Sequence, residues 1–405
     1  MTRPIVSLIP IGSYDDPARL DEALRQALEP FGGMGAFVRP GQRVLLKPNL
    51  VAPAHAELAV CTHPAVAAAV VRAVTAAGAS QCDLGDGPGV STASAVCRSC
   101  GIADALRDTG ARILDFEETA VYEHPDNRVL KRVELTAEIA RHDVLITLPK
   151  LKTHCQMAMT CAIKNQYGLI PGSAKAQLHF RFQDRQLFSD LVLDINRAAA
   201  PALAIVDAIV AMEGPGPSGG TPRQVGALIV GTDLAAVDTV AAALIGLSAE
   251  AVPLLAAARQ AGFGATALAD IDVRGARVEE LAVPDFRLVA APTNMLRLLP
   301  LPLFMLKWLR RQFVARPVIR RKACVRCGRC RDGCPVRPPA IDPFAPPGSP
   351  TLNDRTCIRC YCCHEFCPAK AIDLEYGAAE RHLHLLALTR RAHRLFGRLV
   401  AWLRR

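Results

Sequence analysis

Apolar residues gather in short, nearly unbroken runs over the first two thirds of the chain. Val44–Leu46, Cys82–Leu84, Val144–Leu148, Leu203–Val206 and Ala227–Val230 are strand-sized and contain too few polar residues to alternate. That is the pattern of strands covered on both faces. Ile5–Pro10 adds a strand-like opening run. Helices are predicted at Pro17–Leu28, Pro64–Ala77, Ala103–Asp108, Phe188–Arg197 and Leu234–Leu244. The second has Pro64 at its first position and Gly78 just beyond its end. Strands alternating with helices predict an α/β fold with a mostly parallel sheet and flanking helices. The pattern fades after Phe286, and only one repeat occurs along the chain.

That repeat is a cysteine run. Cys324, Cys327, Cys330 and Cys334 are followed by Pro335; Cys357, Cys360, Cys363 and Cys367 are followed by Pro368. Both read C-x₂-C-x₂-C-x₃-C-P, the bacterial ferredoxin spacing for a [4Fe–4S] cluster. Three closely spaced thiolates hold three irons of a cube, and in two-cluster ferredoxins the fourth ligand comes from the other run. One cluster is therefore assigned Cys324, Cys327, Cys330 and Cys367, the other Cys357, Cys360, Cys363 and Cys334. A pair of zinc ribbons would use the C-x₂-C pairs but give no role to the remaining cysteines or the C-P endings. Four segments follow: an α/β domain with an anion-binding pocket over 1–290, a basic amphipathic linker over 291–320, a small α+β ferredoxin-like domain over 321–376, and a basic amphipathic helix over 377–405.

At 405 residues and 51% hydrophobic, the chain can bury more than one core. Of its fifteen cysteines, six (Cys61, Cys82, Cys97, Cys100, Cys155, Cys161) are scattered through the α/β part and read as small buried hydrophobes. No secretory segment precedes Ile5, so a reducing cytoplasm is expected. The net charge of +10 concentrates late in the chain. Met295–Arg311 mixes apolar residues with Arg297, Lys307, Arg310 and Arg311. Beyond Gly377, Leu385, Leu388, Ala392, Leu395, Leu399 and Trp402 recur at helical spacing among seven arginines. Such a helix either lies on an anionic membrane surface or packs on its own domain or a partner. Leu298–Leu306 is too short and too proline-broken to span a bilayer. Basic residues without interleaved aromatics argue against nucleic acid.

Polar residues follow the predicted strands. Lys47-Pro48-Asn49 comes after the first core strand, Gly85-Asp86-Gly87-Pro88-Gly89 after the second, and Lys150, Lys152 and His154 after Val144–Leu148. Asp207 and Glu213 follow Leu203–Val206, and Gly231-Thr232-Asp233 follows Ala227–Val230. Open α/β sheets bind ligands at the carboxyl rim of their strands. Lys47, Lys150, Lys152, Lys164 and Lys175, with His63, Asn49, Asn165 and Gly87, suit a carboxylate or phosphate. Lys152, His154, Asp86 and His179 are the candidate catalytic groups. Asp86, Asp207 and Glu213 could hold a divalent cation, balance the lysines or move protons. Neither a Walker loop nor a dinucleotide fingerprint is present. Each has a structural alternative: Lys47 beside a rim carboxylate, Asp86 as a turn residue, Asp233 as a helix cap.

Lys47-Pro48-Asn49-Leu50, Thr62-His63-Pro64, Gly85–Gly89, Lys164-Asn165, Asp207-Ala208-Ile209 and Met212-Glu213-Gly214 resemble the iron–sulfur-centre proteins of domain of unknown function family 362. Arg359–Pro368 is similar to members that carry a C-terminal ferredoxin module. The resemblance reaches to about Tyr376 and implies a pocket coupled to clusters without naming a substrate. Gly168–Lys175 is also similar to a loop of the nickel-dependent lactate racemase family, over too few residues to imply that reaction. The expectation is an iron–sulfur oxidoreductase with two [4Fe–4S] clusters, an anionic organic substrate, and an electron donor or acceptor protein as partner. A flavin or divalent cation could complete it, and its surroundings would be cytoplasmic or peripheral to a membrane. The alternatives are a non-catalytic electron carrier or maturation factor, and a cluster-independent proton-transfer enzyme acting on a hydroxy acid.

Overall fold

The computed structural model describes residues 3–89, 91–130, 132–171, 174–175, 178, 182, 184–289, 315–334, 336–345, 350–357, 359 and 361–376. The basic segments expected near 291–311 and beyond 377, and the candidates His179 and Cys360, lie outside the described residues.

The α/β part is built on a ten-stranded, mostly parallel sheet. Its main path uses β1 (Ile5–Pro10), β2 (Arg43–Pro48), β3 (Gln81–Asp86) and β4 (Arg112–Asp115). A separate hairpin joins β5 (Thr119–Glu123) to β6 (Arg132–Thr136). β7 (Val144–Leu148) returns to the sheet, followed by β8 (Lys150–His154), β9 (Ala158–Thr160), β10 (Leu203–Glu213), β11 (Thr221–Gly231) and β12 (Asp272–Gly275). The order is β12-β1-β11-β10-β7-β2-β3-β4, with β8 on β10 and β9 on β8. All five residues of β7 are buried, as expected of a strand covered on both faces.

Two apolar cores cover the two faces. One packs the helices Arg185–Ala199, Leu234–Leu244 and Pro253–Ala261. The other packs Pro17–Leu28, Pro64–Ala76 and Ala93–Cys100. Asp16, Thr92, Asp184 and Asp233 cap helix starts by accepting backbone N–H groups.

Two expectations need correction. Leu203–Val206 does not end at Asp207: β10 runs on to Glu213 and pairs with β11 as a long antiparallel hairpin. Each strand gains its partner from the other, so polar residues there extend the ladder. Because β11 runs against β10, its carboxyl end meets the start of β10, with Gly231 opposite Ala204. Gly231-Thr232-Asp233 therefore lies at the opposite edge from the rim, and Asp233 serves as a cap.

The described cysteine-run residues form a small unit of two short antiparallel strand pairs and two short helices. β13 (Arg316–Ile319) pairs with β16 (Ile372–Glu375), and β14 (Ile341–Asp342) with β15 (Thr351–Leu352). The short helices Arg329–Asp332 and Cys362–Phe366 carry parts of the two runs. Among the described residues, no helix is long and apolar enough to cross a membrane.

Candidate functional site

The rim residues separate into three groups. In the first, Lys47 is fully buried at the end of β2 and pairs with Asp86 at the end of β3, 2.8 Å away. It also donates to the Pro48 carbonyl (2.9 Å) and to Asn165 Oδ1 (3.2 Å). Burial pulls its ammonium below the ordinary range, and the Asp86 charge opposes that pull. Asp86 accepts further from the backbone N–H groups of Leu50 and Gly87, both at 2.8 Å. This pair stands against Gly168, whose missing side chain makes the space: a Cβ there would lie 2.8 Å from Lys47 Cε and collide with the Asp86 carboxylate.

In the second group, Lys150 pairs with Asp207 at 2.8 Å, and both are buried. Tyr14 donates to the other Asp207 oxygen (2.6 Å) and accepts from Lys150 Nζ and Val210 N, each at 3.0 Å. Burial, then the Asp207 charge, pushes the Tyr14 hydroxyl well above its ordinary range. The Tyr14 ring stacks on His63, with centroids 3.5 Å apart. His63 Nδ1 caps the helix Pro64–Ala76, and its backbone N–H donates to Asp207. Burial lowers the imidazole to about 4, so it is neutral near pH 7. Glu213 is held apart from both groups by Arg287, whose Nε lies 2.6 Å from its carboxylate.

The third group lines a cleft of about 640 Å³. Its walls include Asn49, Asp86, Gly89, Lys152, Thr160, Lys164, Asn165, Tyr167, Lys175 and Phe366. Lys152 is fully buried on β8 and donates to the Val60 carbonyl at 2.7 Å. Although Lys150 and Lys152 flank a single residue, a register shift in the β8–β10 pairing intervenes, and their amines enter different groups. Lys164 and Asn165 come from the short helix Ala162–Asn165. That helix is fixed from outside: Asp238 accepts the N–H groups of Ala162 and Ile163, and Asn196 donates to the Ile163 carbonyl. Lys175 donates to the Gly87 carbonyl. His154 lies on β8 but not in the cleft wall; its Nδ1 accepts from Gln156 and Met157.

Beneath Lys152, three of the six scattered cysteines meet. Cys61, Cys97 and Cys100 are buried in one core, as small hydrophobes should be. Cys61 Sγ donates to the Ala52 carbonyl (3.6 Å) and Cys100 Sγ to the Cys97 carbonyl (3.8 Å); the neighbouring Cys100 thiol, then the Lys152 charge, draws the Cys61 thiol below its ordinary range.

The cluster candidates converge elsewhere. Cys324, Cys327, Cys330 and Cys367 line one small recess, walled by Ile319, Ala371 and Ile372. Three of these cysteines come from the first run and one from the second. Cys334, Cys357 and Cys363 pack in an adjoining apolar cluster. Backbone N–H groups donate to sulfur at Cys334 (3.4 Å), Cys357 (3.4 Å) and Cys367 (3.1 Å). No group of three or more His, Cys, Asp or Glu among the described residues is arranged to hold a metal ion.

Several side chains join the two regions, Phe366 among them. Phe366, next to Cys367, lines the cleft and lies between Gly89 and Gly333. Beside it, His364 Nδ1 meets the Ile372 carbonyl (2.6 Å) and Nε2 the Pro215 carbonyl (3.3 Å).

Comparison with known proteins fixes the family. The profile described as "Domain of unknown function (DUF362)" matches residues 44–243, which are the heart of the sheet and exclude both cysteine runs. The thylakoid-associated protein sll1697 of Synechocystis sp. is 37% identical over 284 residues, covering 70% of this chain and 87% of that protein. The chain belongs to the DUF362 family. Two solved structures share a weaker likeness with this DUF362 protein, each at TM-score 0.35. One is a Thermotoga maritima protein (13% identity, 55% of this chain and 57% of that one). The other is the lactate racemase apoprotein of Thermoanaerobacterium thermosaccharolyticum (10% identity, 57% and 55%). The chain thus spans just over half the length of each.

Sequence reasoning missed Thr160, Tyr167 and Phe366 as cleft residues. Phe366 was hidden inside a cysteine motif, where attention goes to sulfur. Thr160 ends a three-residue strand too short to register as a period.

Proposed function

We propose that this DUF362 protein is an iron–sulfur oxidoreductase whose cleft binds an anionic organic molecule. The observation that carries the reading is Phe366: the loop bearing Cys363 and Cys367 supplies a wall of the lysine-lined cleft. A cluster held by that segment would supply electrons from the side of the cleft that Phe366 closes. The described cysteines are not drawn together closely enough to hold a metal ion as they stand, but both runs contribute to one recess. Four cysteines from both runs line one apolar-walled recess, where burial holds the Cys330 and Cys367 thiols above their ordinary range, while backbone N–H groups donate to the sulfurs of Cys334, Cys357 and Cys367 and oppose that shift. Cys324, Cys327, Cys330 and Cys367 would hold one cluster, and Cys334, Cys357, Cys360 and Cys363 the other. Bound clusters supply single-electron transfer.

The chain's own groups then have separate tasks. Lys152, Lys164 and Lys175 bind and orient the anion. Asp86 already accepts from Lys47, Leu50 and Gly87, so it acts as a fixed anchor for the cleft floor. Lys152, buried in the wall, would deliver a proton to the bound molecule by giving up its contact with the Val60 carbonyl. Phe366 keeps water from one side. An outside donor or acceptor protein would exchange electrons at the exposed Cys327 edge.

The basic segments, together with a relative whose name records thylakoid association, favour residence at a membrane surface. Flotation with anionic vesicles and not with neutral ones would support this; flotation with neither removes it.

The deciding experiment is purification without oxygen, followed by iron and sulfide analysis and mass spectrometry of released small molecules. About eight irons per chain are expected for two clusters, with an organic anion in the released fraction. Negligible iron after anaerobic reconstitution would refute the reading.

A further inference from the structure

The cysteine unit turns one side to the α/β part, through Phe366 at Gly89 and His364 at the Pro215 carbonyl. Another side is open to solvent, around the recess of the first cysteine run. Among the described residues five large apolar side chains are exposed, and the two most exposed adjoin this recess: Val325 at 66% and Phe344 at 51%. Val325 lines it, and Phe344 follows Pro343, which also lines it. The Phe344 ring is seated on the same loop at Gly328, where a Cβ would stand 3.3 Å from its Cζ. Cys327, between Val325 and Gly328 in sequence, is exposed as well. Single exposed apolar side chains are ordinary on a folded protein; two beside one cysteine-lined opening form a patch.

The rim of this patch is basic. From Arg320 to Arg331, six of twelve residues are Arg or Lys and none is acidic. Two of the six have acidic partners, Arg320 with Asp373 at 3.0 Å and Arg331 with Asp342 at 3.8 Å. Arg321 and Lys322 sit on the tight turn before Cys324, where the N–H groups of Ala323 and Cys324 both donate to the Arg320 carbonyl at 3.0 Å. Both side chains are exposed, and neither is paired with an acid among the described residues. A small apolar centre inside a charged, arginine-bearing rim is the anatomy of a transient protein interface, and electron-transfer contacts are among the smallest of these. The rim charge sets the sign of the partner. A lipid surface would attract the same charge, but the described helix at this face, Arg329–Asp332, is only four residues long, too short to lie in a membrane interface.

We infer that the face around Cys327 docks an acidic single-electron carrier protein, with Val325 and Phe344 at the centre of the contact and Arg321 and Lys322 on its rim. This rests on the redox reading of the cysteine runs and deepens it by naming the chemistry of the partner's surface.

Isothermal titration of the anaerobically purified full chain would use two acidic carriers, a bacterial ferredoxin and a flavodoxin, and one basic carrier, a c-type cytochrome. At least one acidic carrier should bind with a micromolar Kd that weakens about fivefold or more between about 50 and about 200 mM salt. The cytochrome should not bind. Arg321→Glu with Lys322→Glu should weaken carrier binding about tenfold or more, and Val325→Ser about threefold or more, each with unchanged melting temperature. Arg19→Glu with Arg39→Glu, at exposed positions on the α/β part, alters the net charge equally and should shift Kd by less than about twofold. No binding of either acidic carrier at about 100 µM, equal binding of the cytochrome, or equal losses in the two charge-reversed variants overturns the inference. Anionic vesicles that bind the parent chain but not Arg321→Glu with Lys322→Glu would give the face to a membrane and overturn it too. Iron content measured on the same preparation separates the two readings. Carrier binding without iron removes the redox reading and leaves the docking face; iron without carrier binding does the reverse.

Discussion

Alanine at position 89 would test the contact that joins the cysteine unit to the cleft. A Cβ built on Gly89 falls deep inside contact with Phe366 Cε1 and Cζ, and 3.2 Å from Cδ1. On its other side the ring lies close against the side-chain-free backbone of Gly333, where even a single added methyl would collide with its edge. One methyl therefore forces Phe366 out of its slot. Phe366 is 8% exposed, and loss of such burial costs about 2–3 kcal/mol. If docking of this loop opens and closes independently of global unfolding, its amide protection should fall by roughly 30- to 150-fold. Hydrogen exchange over residues 361–376 measures this directly. Phe366→Ala removes the obstacle, so Gly89→Ala should cost almost nothing further in that background. Parent-like exchange in Gly89→Ala, or fully additive effects in the double variant, would refute the argument that the ring fills a glycine-bounded slot.

Three other outcomes follow from buried groups. Burial raises the Asp238 carboxyl to about 7, so the folded state binds a proton the unfolded chain releases near 4. Stability from this group is lost as pH rises from about 4 to about 7, on the order of 4 kcal/mol at most. His63, lowered to about 4, works in the opposite sense, gaining stability as pH rises to about 6.5. Melting curves across that range should give a parent-minus-Asp238→Asn difference that declines with pH; a flat difference would contradict the assignment. Lys47→Met strands the buried Asp86 carboxylate and should cost about 3–5 kcal/mol in denaturant titration, whereas Lys47→Met with Asp86→Leu should cost clearly less. Equal losses would show that the pair does not act as a unit. Gly168→Ala pushes against the same pair and should destabilise by about 1–3 kcal/mol; a neutral result in thermal melts would show that Lys47 has room to move.

The parallel sheet was legible because its strands are covered on both faces and read as continuous apolar runs. Val144–Leu148 matched its observed bounds, and Leu234–Leu244 was marked by Asp233 in front of it. β10 was truncated in the reading because Asp207 and Glu213 look like loop residues. Both are buried at the cost of ion pairs with Lys150 and Arg287, partners far away in sequence. The lysines were found as a set, but their division into two internal pairs and an open cleft depends on the β8 register shift and on Gly168, neither of which leaves a periodic trace. Asp238 illustrates the same gap: it could have lain on an exposed helix face, yet it is buried and anchors a helix from another part of the chain.

The position of β1 bears on how the molecule is made. It is the first strand to be synthesised, yet its two neighbours in the sheet are β11 and β12, among the last strands of the α/β part. During translation β1 must wait, with both its edges open, until residues beyond 270 have emerged. Such late, long-range pairing slows closure and exposes the nascent chain to mispairing. The slot beside Gly89 belongs to the same unfinished sheet. The cysteine unit, made after it, would then meet its docking surface just as that surface is completed.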